Sequence, residues 1–185
     1  MKKIVSLALA MLLVLSLAAC GSKNSGTGDV SDALTLLNTV WATYSEEDKF
    51  PVSGGDYDHP VDSAPGAFDI SNADNMDYML GFPGPSVANL VDAASLMHMM
   101  NGNTFTCGAF HVADANNVAR LADDLRTTIQ AKRWMCGFPD KLVIVTVGQS
   151  VLSVYGNEEL VNTFRDKLLA SYPTAAAVYD EAINA

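Results

Sequence analysis

The hydrophobic positions in the second half of the chain indicate two β-hairpins, each followed by a helix. Leu90–Met100 and Thr104–Val112 flank Asn101-Gly102, and both residues of that dipeptide tolerate a positive φ. The pattern therefore predicts a hairpin. Asp114 then precedes apolar residues at helical spacing, in the position of a typical N-cap. The apolar stripe of this predicted helix is Val118, Leu121, Ala122, Leu125 and Ile129.

The same order of elements repeats further along the chain. Leu142–Val147 and Val151–Tyr155 predict a second hairpin across Gly148-Gln149. Asn157 is the predicted N-cap of the helix that follows, with two glutamates in its first turn. The apolar stripe of that helix is Leu160, Val161, Phe164 and Leu168.

The pattern is weaker outside these two units. Apolar residues at helical spacing predict an N-terminal helix over residues 31–45. Residues 46–88 lose this periodicity and contain five of the seven prolines, which favours irregular structure. Short helical turns are expected within that segment, around Asn72–Leu80, because a structureless loop of this length is unusual in a compact domain. A last short helix is predicted from Thr174 to Ile183.

These elements predict an α+β fold. We expect a four-stranded, mainly antiparallel sheet built from two ββα units, packed with helices and preceded by the N-terminal helix. The second hairpin is apolar on both of its faces, and one layer of helices covers only one face. Either the N-terminal helix and residues 46–88 cover the other face, or that face binds something.

The first 20 residues have the pattern of a secretory signal. Lys2 and Lys3 precede the uncharged apolar run Ile4–Ala19, which is too short for a membrane span of about 20 residues. The run ends in Leu-Ala-Ala followed by Cys20, which resembles the lipobox of bacterial lipoproteins. That resemblance implies lipidation of Cys20 and an anchor on the extracytoplasmic face of the cell membrane.

The predicted organisation has three parts. Residues 1–19 are expected to be a lipoprotein signal peptide, and residues 20–28 the lipidated cysteine with a flexible tether. The tether lacks apolar residues and contains three glycines. A single α+β domain is predicted over residues 29–185.

The order of elements also resembles an uncharacterised family of small lipoproteins from Gram-positive anaerobes, a domain of unknown function. The resemblance rests on the lipobox, on Gly108–Asp114 entering an acid-capped helix, and on Leu142–Tyr155 entering a second one. It covers roughly residues 90–170. The family implies no catalytic residues that can be carried over.

The net charge of the chain limits the kinds of molecule that the protein is expected to bind. The chain carries 21 acidic against 11 basic residues, and loss of Lys2 and Lys3 with the leader leaves a net charge of −12. A surface this acidic repels phosphate backbones, so no nucleic acid partner is expected. The expected partners are the membrane, through the anchor, and an unidentified protein or small molecule.

Two cysteines remain once Cys20 is lipidated. Strand and helix lengths place Cys107 and Cys136 at the same end of the domain, which permits a disulfide in a secreted protein. The alternative is two free buried thiols. The chain has no C-x-x-C motif, which disfavours a redox role.

The histidines and acidic residues do not predict a metal site. On the expected hairpin, His98 and His111 lie about 20 Å apart, too far to share a ligand set. Asp56, Asp58 and Asp62 offer oxygens for Ca²⁺, but they lack EF-hand spacing and favour a solvated acidic loop. No metal and no cofactor are predicted.

Methionines and aromatic residues mark the expected binding surface. Clusters of Gly, Pro and aromatic residues around Phe82 and around Trp134 and Phe138 are expected to pack as a lid on the sheet, near Met97 and Met99. The sequence thus predicts a non-enzymatic, membrane-anchored binding or interaction domain. The alternatives are an extracytoplasmic thiol enzyme using Cys107 or Cys136, and an accessory or structural component of the envelope.

Overall fold

The computed structural model describes residues 30–184. The predicted signal peptide, Cys20 and the whole of the predicted tether lie outside the described residues. Within residues 30–184, no helix combines the length and the apolar character needed to span a bilayer.

The described chain forms four α-helices and eight strands. In chain order they are α1 (Ala33–Trp41), β1 (Val52–Gly54), β2 (Val61–Asp62), β3 (Gly66–Phe68), α2 (Ala73–Leu80), β4 (Leu90–His98), β5 (Phe105–Val112), α3 (Val118–Gln130), β6 (Lys141–Val147), β7 (Ser150–Gly156), α4 (Glu158–Ser171) and β8 (Ala176–Ala182). Short 3₁₀ turns precede β4 and α3.

All eight strands belong to one antiparallel sheet, in the order β2-β1-β4-β5-β7-β6-β8, with β3 also paired to β4. The α+β class agrees with the sequence, but the predicted four-stranded sheet is wrong. The four predicted strands form its centre. The additional strands occupy both edges, where the backbone groups of β4 and β6 would otherwise be left unpaired.

One edge is built from the proline-rich segment that the sequence predicted to be irregular. β1 and β3 both pair with β4, one after the other along its length. Their junction requires glycine, because a Cβ on Gly54 would lie 2.1 Å from the backbone nitrogen of Gly66. These strands have three residues each, too few to show an alternating pattern.

The other edge is β8, and here the predicted C-terminal helix is wrong. Residues 176–182 pair with β6 from Thr146 to Lys141. The alanines of this segment favour a helix, but a strand also satisfies the open edge of β6. Polar side chains hold it in place: Glu181 pairs with Arg126 of α3, and Asp180 accepts from Lys141 of β6 at 2.7 Å.

Helices cover both faces of the sheet. On one face α1 and α4 pack with Phe105, Cys107 and the other side chains that point to their side. On the other face α2 and α3 pack with Phe110, Ile144 and their neighbours. The N-terminal helix on one face and the helix from residues 46–88 on the other complete this cover, which was one of the two possibilities left by the sequence.

The two hairpins and their helices confirm the sequence pattern. β4 and β5 pair with Met97 opposite Thr106, and the turn between them is closed by a bond from the Thr104 amide to the Asn101 carbonyl. Asp114 caps a 3₁₀ turn that leads into α3, and Asn157 caps α4 through bonds from two backbone amides. The irregular segment also contains α2 at the place where short helical turns were expected.

Candidate functional site

A groove of about 560 Å³ lies at one end of the sheet. It opens between the C-terminal ends of α2 and α3, where the helix layer stops short of the β4–β5 turn. Its lining comprises Ser53, Tyr57, Tyr78, Met79, Met97, His98, Met99, Asn101, Gly102, Asn103, Thr106, Lys132, Arg133, Trp134, Met135, Cys136 and Tyr155. We call this the terminal groove.

Strand residues form the floor of the terminal groove. Met97, Thr106 and Tyr155 lie on the face that α2 and α3 cover, near the end of that layer. The Tyr155 hydroxyl donates to the Met79 carbonyl at 3.3 Å, and burial raises the pKa of Tyr155 to about 12. The Tyr155 side chain is therefore neutral at physiological pH and offers a mainly apolar surface.

The segment after α3 forms one wall, and the β4–β5 turn holds it in place. Asn103 donates through Nδ2 to the carbonyls of Met135, at 2.9 Å, and Gly137, at 3.0 Å. Asn101 donates to the Cys136 carbonyl at 3.0 Å. These bonds fix a backbone in which Cys136 has a φ of +62°, a region rarely adopted by a residue with a Cβ.

Trp134 gives this wall its aromatic surface. Its ring lies 5.3 Å from that of Tyr155, at 53°, and its indole Nε1 is buried without an acceptor among the described residues. Tyr57 and Tyr78 face each other at 6.4 Å on the rim and are largely exposed. Exposed aromatic rings beside a cleft are a common feature of ligand sites.

The charged groups of the terminal groove are all basic. Lys132 donates to the Tyr78 carbonyl at 2.8 Å, and its ammonium lies 5.6 Å from the Trp134 ring centroid. Burial lowers the pKa of Lys132, and the nearby Asp77 carboxylate opposes that shift only in part. Arg133 is exposed beside it. No aspartate or glutamate is among the lining residues given above.

The predicted binding surface is only partly brought together. Met97, Met99 and Trp134 line the terminal groove. Phe82 does not: it is fully buried in the core, with its ring 4.7 Å from that of Phe110. Phe138 is 67% exposed and lines a separate cleft beside Asp140 and Asn157. Residue type does not separate a buried aromatic residue from an exposed one in these clusters.

Several groove residues were not predicted. Tyr57 and Tyr78 come from the segment expected to be irregular, and Lys132 and Arg133 match the basic residues common at a helix C-terminus. The Asn101-Gly102 dipeptide indicated a turn, and the added role of that asparagine in holding a neighbouring loop has no separate sequence signal. Only the chain path places these side chains together.

The structure does not join Cys107 to Cys136. Both are free, with Cys107 buried under α1 and α4 and Cys136 exposed in the terminal groove. The predicted strand and helix lengths bring them toward one end of the domain, but their side chains lie on opposite sides of the sheet. Burial raises the pKa of the Cys107 thiol far above its ordinary value. At neutral pH the Cys107 side chain is therefore a thiol, the less nucleophilic form.

The three histidines have separate surroundings. His98 stacks on Phe50 with ring centroids 6.0 Å apart, and His111 lies 3.0 Å from the Ser150 hydroxyl. His59 contacts Asp56 at 3.1 Å. Among residues 30–184, no three His, Cys, Asp or Glu side chains are grouped so that they could hold a metal ion.

Asp56 organises the loop in which Ca²⁺ ligands were considered. Its Oδ1 accepts from the backbone amides of Asp58 and His59, both at 2.9 Å, and its Oδ2 accepts from that of Asp69 at 3.0 Å. Its carboxylate is buried and already hydrogen-bonded, whereas Asp58 and Asp62 are exposed. These contacts give Asp56 a structural role in the proline-rich segment.

The chain shows no match to a protein-family model, to a curated protein or to a solved structure. The resemblance to small lipoproteins of Gram-positive anaerobes stays a prediction. Lipidation of Cys20 also stays a prediction, because it falls outside the described residues.

Proposed function

We propose that the protein is a non-enzymatic lipoprotein, anchored through Cys20 to the extracytoplasmic face of the cell membrane, whose folded domain binds a ligand in the terminal groove. The observation that carries the binding role is an open cleft of about 560 Å³. Small-molecule sites have volumes of roughly 300 to 1,000 Å³ and are mainly apolar with a few polar groups.

The covered sheet makes the groove the better candidate for the binding surface. An open apolar sheet face would have offered a docking site for a partner, but helices cover both faces. The groove remains where the α2 and α3 layer ends. Its methionines add adaptable apolar surface, which suits a site that accommodates a ligand.

The entry point of the chain is compatible with an anchored domain. The backbone amide of Ala33 donates to Asp92 near the start of β4, whereas the terminal groove lies at Met97 and His98 near its end. At about 3.4 Å per residue the two places are roughly 20 Å apart. An anchor that precedes α1 therefore leaves the groove accessible.

Binding in the groove is tested with a neutral fluorescent probe, N-phenyl-1-naphthylamine, on residues 21–185, which contain both cores. We expect saturable binding with energy transfer from Trp134, measured in a Trp41→Phe background. Alkylation of Cys136 with a bulky maleimide should abolish it. The matched control, Cys136→Ser treated with the same reagent, should retain binding. Absence of saturable binding would refute the groove as an apolar ligand site.

The anchor is tested separately on the full chain. We expect the mature protein to fractionate with membranes and to carry a mass increase corresponding to a diacylglycerol on Cys20. Cys20→Ser should remove both properties and leave the fold unchanged. A mature protein cleaved elsewhere, or lacking lipid, would contradict the anchored assignment without affecting the groove.

The thiol enzyme remains a second candidate because Cys136 and His98 both line the groove. A nucleophilic thiol requires a base within hydrogen-bond reach when substrate is bound. Such an enzyme predicts rapid alkylation of Cys136 at neutral pH that slows greatly in His98→Gln. Equal alkylation rates in the two proteins would remove this candidate.

A further inference from the structure

The terminal groove is lined by basic side chains, whereas the molecule as a whole is acidic. The chain carries 21 acidic residues and only 11 lysines and arginines. Even so, Lys132 and Arg133 line the groove, and no carboxylate does. Neither cation forms an ion pair with an acidic side chain within residues 30–184. All six of the other lysines and arginines within that range do form ion pairs.

The two cations adjoin the aromatic surface of the groove. Lys132 is partly buried over the face of Trp134, and its bond to the Tyr78 carbonyl uses only one of three ammonium donors. Arg133 follows it in the chain and is exposed, with its guanidinium donors available. Cationic donors next to an apolar wall match a ligand with both kinds of surface.

We infer that the terminal groove binds a small amphipathic anion, a molecule with a flat apolar body and one carboxylate or sulfonate group. The apolar body lies against Trp134, Tyr155 and the methionines, and the anionic group lies against Lys132 and Arg133. This inference deepens the proposed binding function and rests on it. The anionic group of such a ligand supplies the direct ion-pair partner that Lys132 and Arg133 lack among the described residues, since Asp77 acts on Lys132 only from a distance.

The negative charge of the whole molecule opposes such a ligand only at long range. At physiological ionic strength the Debye length is about 8 Å, so distant surface carboxylates are largely screened. A partly buried cation in direct contact with the ligand is screened much less. The local charge of the groove therefore decides which ligands bind.

The test uses two probes that share one ring system. The first is N-phenyl-1-naphthylamine, which is neutral, and the second is 8-anilinonaphthalene-1-sulfonate, which adds a sulfonate. Residues 21–185 carrying Lys132→Met and Arg133→Gln together should lose about tenfold in affinity for the sulfonate probe, the factor given by about 1.4 kcal/mol. Affinity for the neutral probe should stay within about twofold.

Three further variants make the result specific. Lys49→Met with Arg120→Gln removes the same two charges outside the groove and should leave both affinities unchanged. Lys132→Arg keeps the cation and should retain sulfonate binding. Arg133→Gln alone changes only an exposed side chain and should cost about threefold, which keeps the test valid if Lys132→Met fails to fold.

The outcomes separate the inference from the proposed function. Loss of sulfonate affinity confined to the groove variants supports the anionic ligand. Two results overturn the inference: equal affinity of all variants for the sulfonate probe, or an equal loss of affinity for both probes in the groove variants. In either case the wild-type protein still binds the neutral probe, so the proposed binding function stands. If neither probe binds the wild-type protein, both the inference and the proposed binding function fail.

Discussion

At the scale of single residues, burial and hydrogen bonding decide which chemical groups are available. Cys107 and Cys136 have the same side chain, yet one is buried in a core and the other is exposed in the terminal groove. Asp56 resembles its acidic neighbours in the sequence, but it is buried and accepts bonds from three backbone amides. Residue type alone predicted none of these differences, because burial is set by the path of the chain.

We predict that the two thiols differ in reactivity. In residues 21–185 at neutral pH, iodoacetamide should modify Cys136 only, because the Cys107 thiol is buried and its pKa is raised. Denaturation should then expose the second thiol. Intact mass before and after denaturation, each with and without reduction, measures this directly. A mass two hydrogens below that of the protein with two free thiols, regained on reduction, would indicate a disulfide between Cys107 and Cys136. That result would contradict this prediction.

We predict that Asp56→Asn lowers the free energy of unfolding by about 2 kcal/mol at pH 7, since the side chain loses its charge and its Nδ2, a donor, leaves a backbone amide without its acceptor. Burial by itself raises the pKa of Asp56, but bonds from the amides of Asp69, His59 and Asp58 outweigh it and hold the pKa below its ordinary value. Urea unfolding at a series of pH values measures the difference between the two proteins.

The pH dependence of that difference follows from the lowered pKa. The stability that Asp56 contributes is complete above its unfolded pKa of about 3.9 and is lost as the pH falls through the folded value. The wild-type advantage should therefore be constant from pH 7 to 5 and shrink below about pH 4. The exposed Asp62→Asn serves as control, and an equal loss there would attribute the effect to net charge.

At the scale of elements, local pattern succeeds where an element buries a regular stripe of its own. The stripes of α3 and α4 and the apolar strands β6 and β7 were predicted for this reason. Short or exposed elements were predicted wrongly: β8 was predicted as a helix, and β1 to β3 as irregular structure. Their conformation is set by neighbours, since β4 and β6 each have an edge that needs hydrogen bonds.

We predict that β8 is held by its contacts with α3. The Glu181 carboxylate accepts from Arg126 Nε and Nη2 at 2.7 and 2.9 Å, and from Gln130 at 2.9 Å. Glu181→Gln should raise the hydrogen-exchange rates of the β8 amides several-fold and leave β5 and β7 unchanged. Glu47→Gln, an exposed change far from this strand, is the control. Unchanged β8 exchange would show that backbone pairing alone holds the strand.

At the scale of the whole molecule, one sheet supports two cores. Phe105 and Phe110 belong to the same strand but pack on opposite faces, so neither core can form without that strand. The terminal groove also belongs to this scale, because its walls come from α2, from the segment after α3 and from the β4–β5 turn. Residues about 100 positions apart in the chain, from Ser53 to Tyr155, contribute to it.

We predict that the two faces unfold together. Trp41 reports on the face of α1 and Trp134 on that of α3, so Trp134→Phe and Trp41→Phe each isolate one signal. The two proteins should show single urea transitions of the same cooperativity. Adding Leu125→Ala, which destabilises the fold by about 2 to 5 kcal/mol, should shift the midpoints of both transitions equally. Arg120→Ala is the exposed control on α3. A shift seen only by Trp134 would indicate two independent units.

Local sequence pattern was enough to predict the α+β class, the two central hairpins and the helices α3 and α4. It was enough because alternating or helical burial leaves a periodic trace in a single segment. The tertiary structure alone decided the edge strands, the free cysteines, the buried position of Phe82 and the terminal groove. Each of these depends on contacts between segments distant in the chain, and such contacts leave no local period.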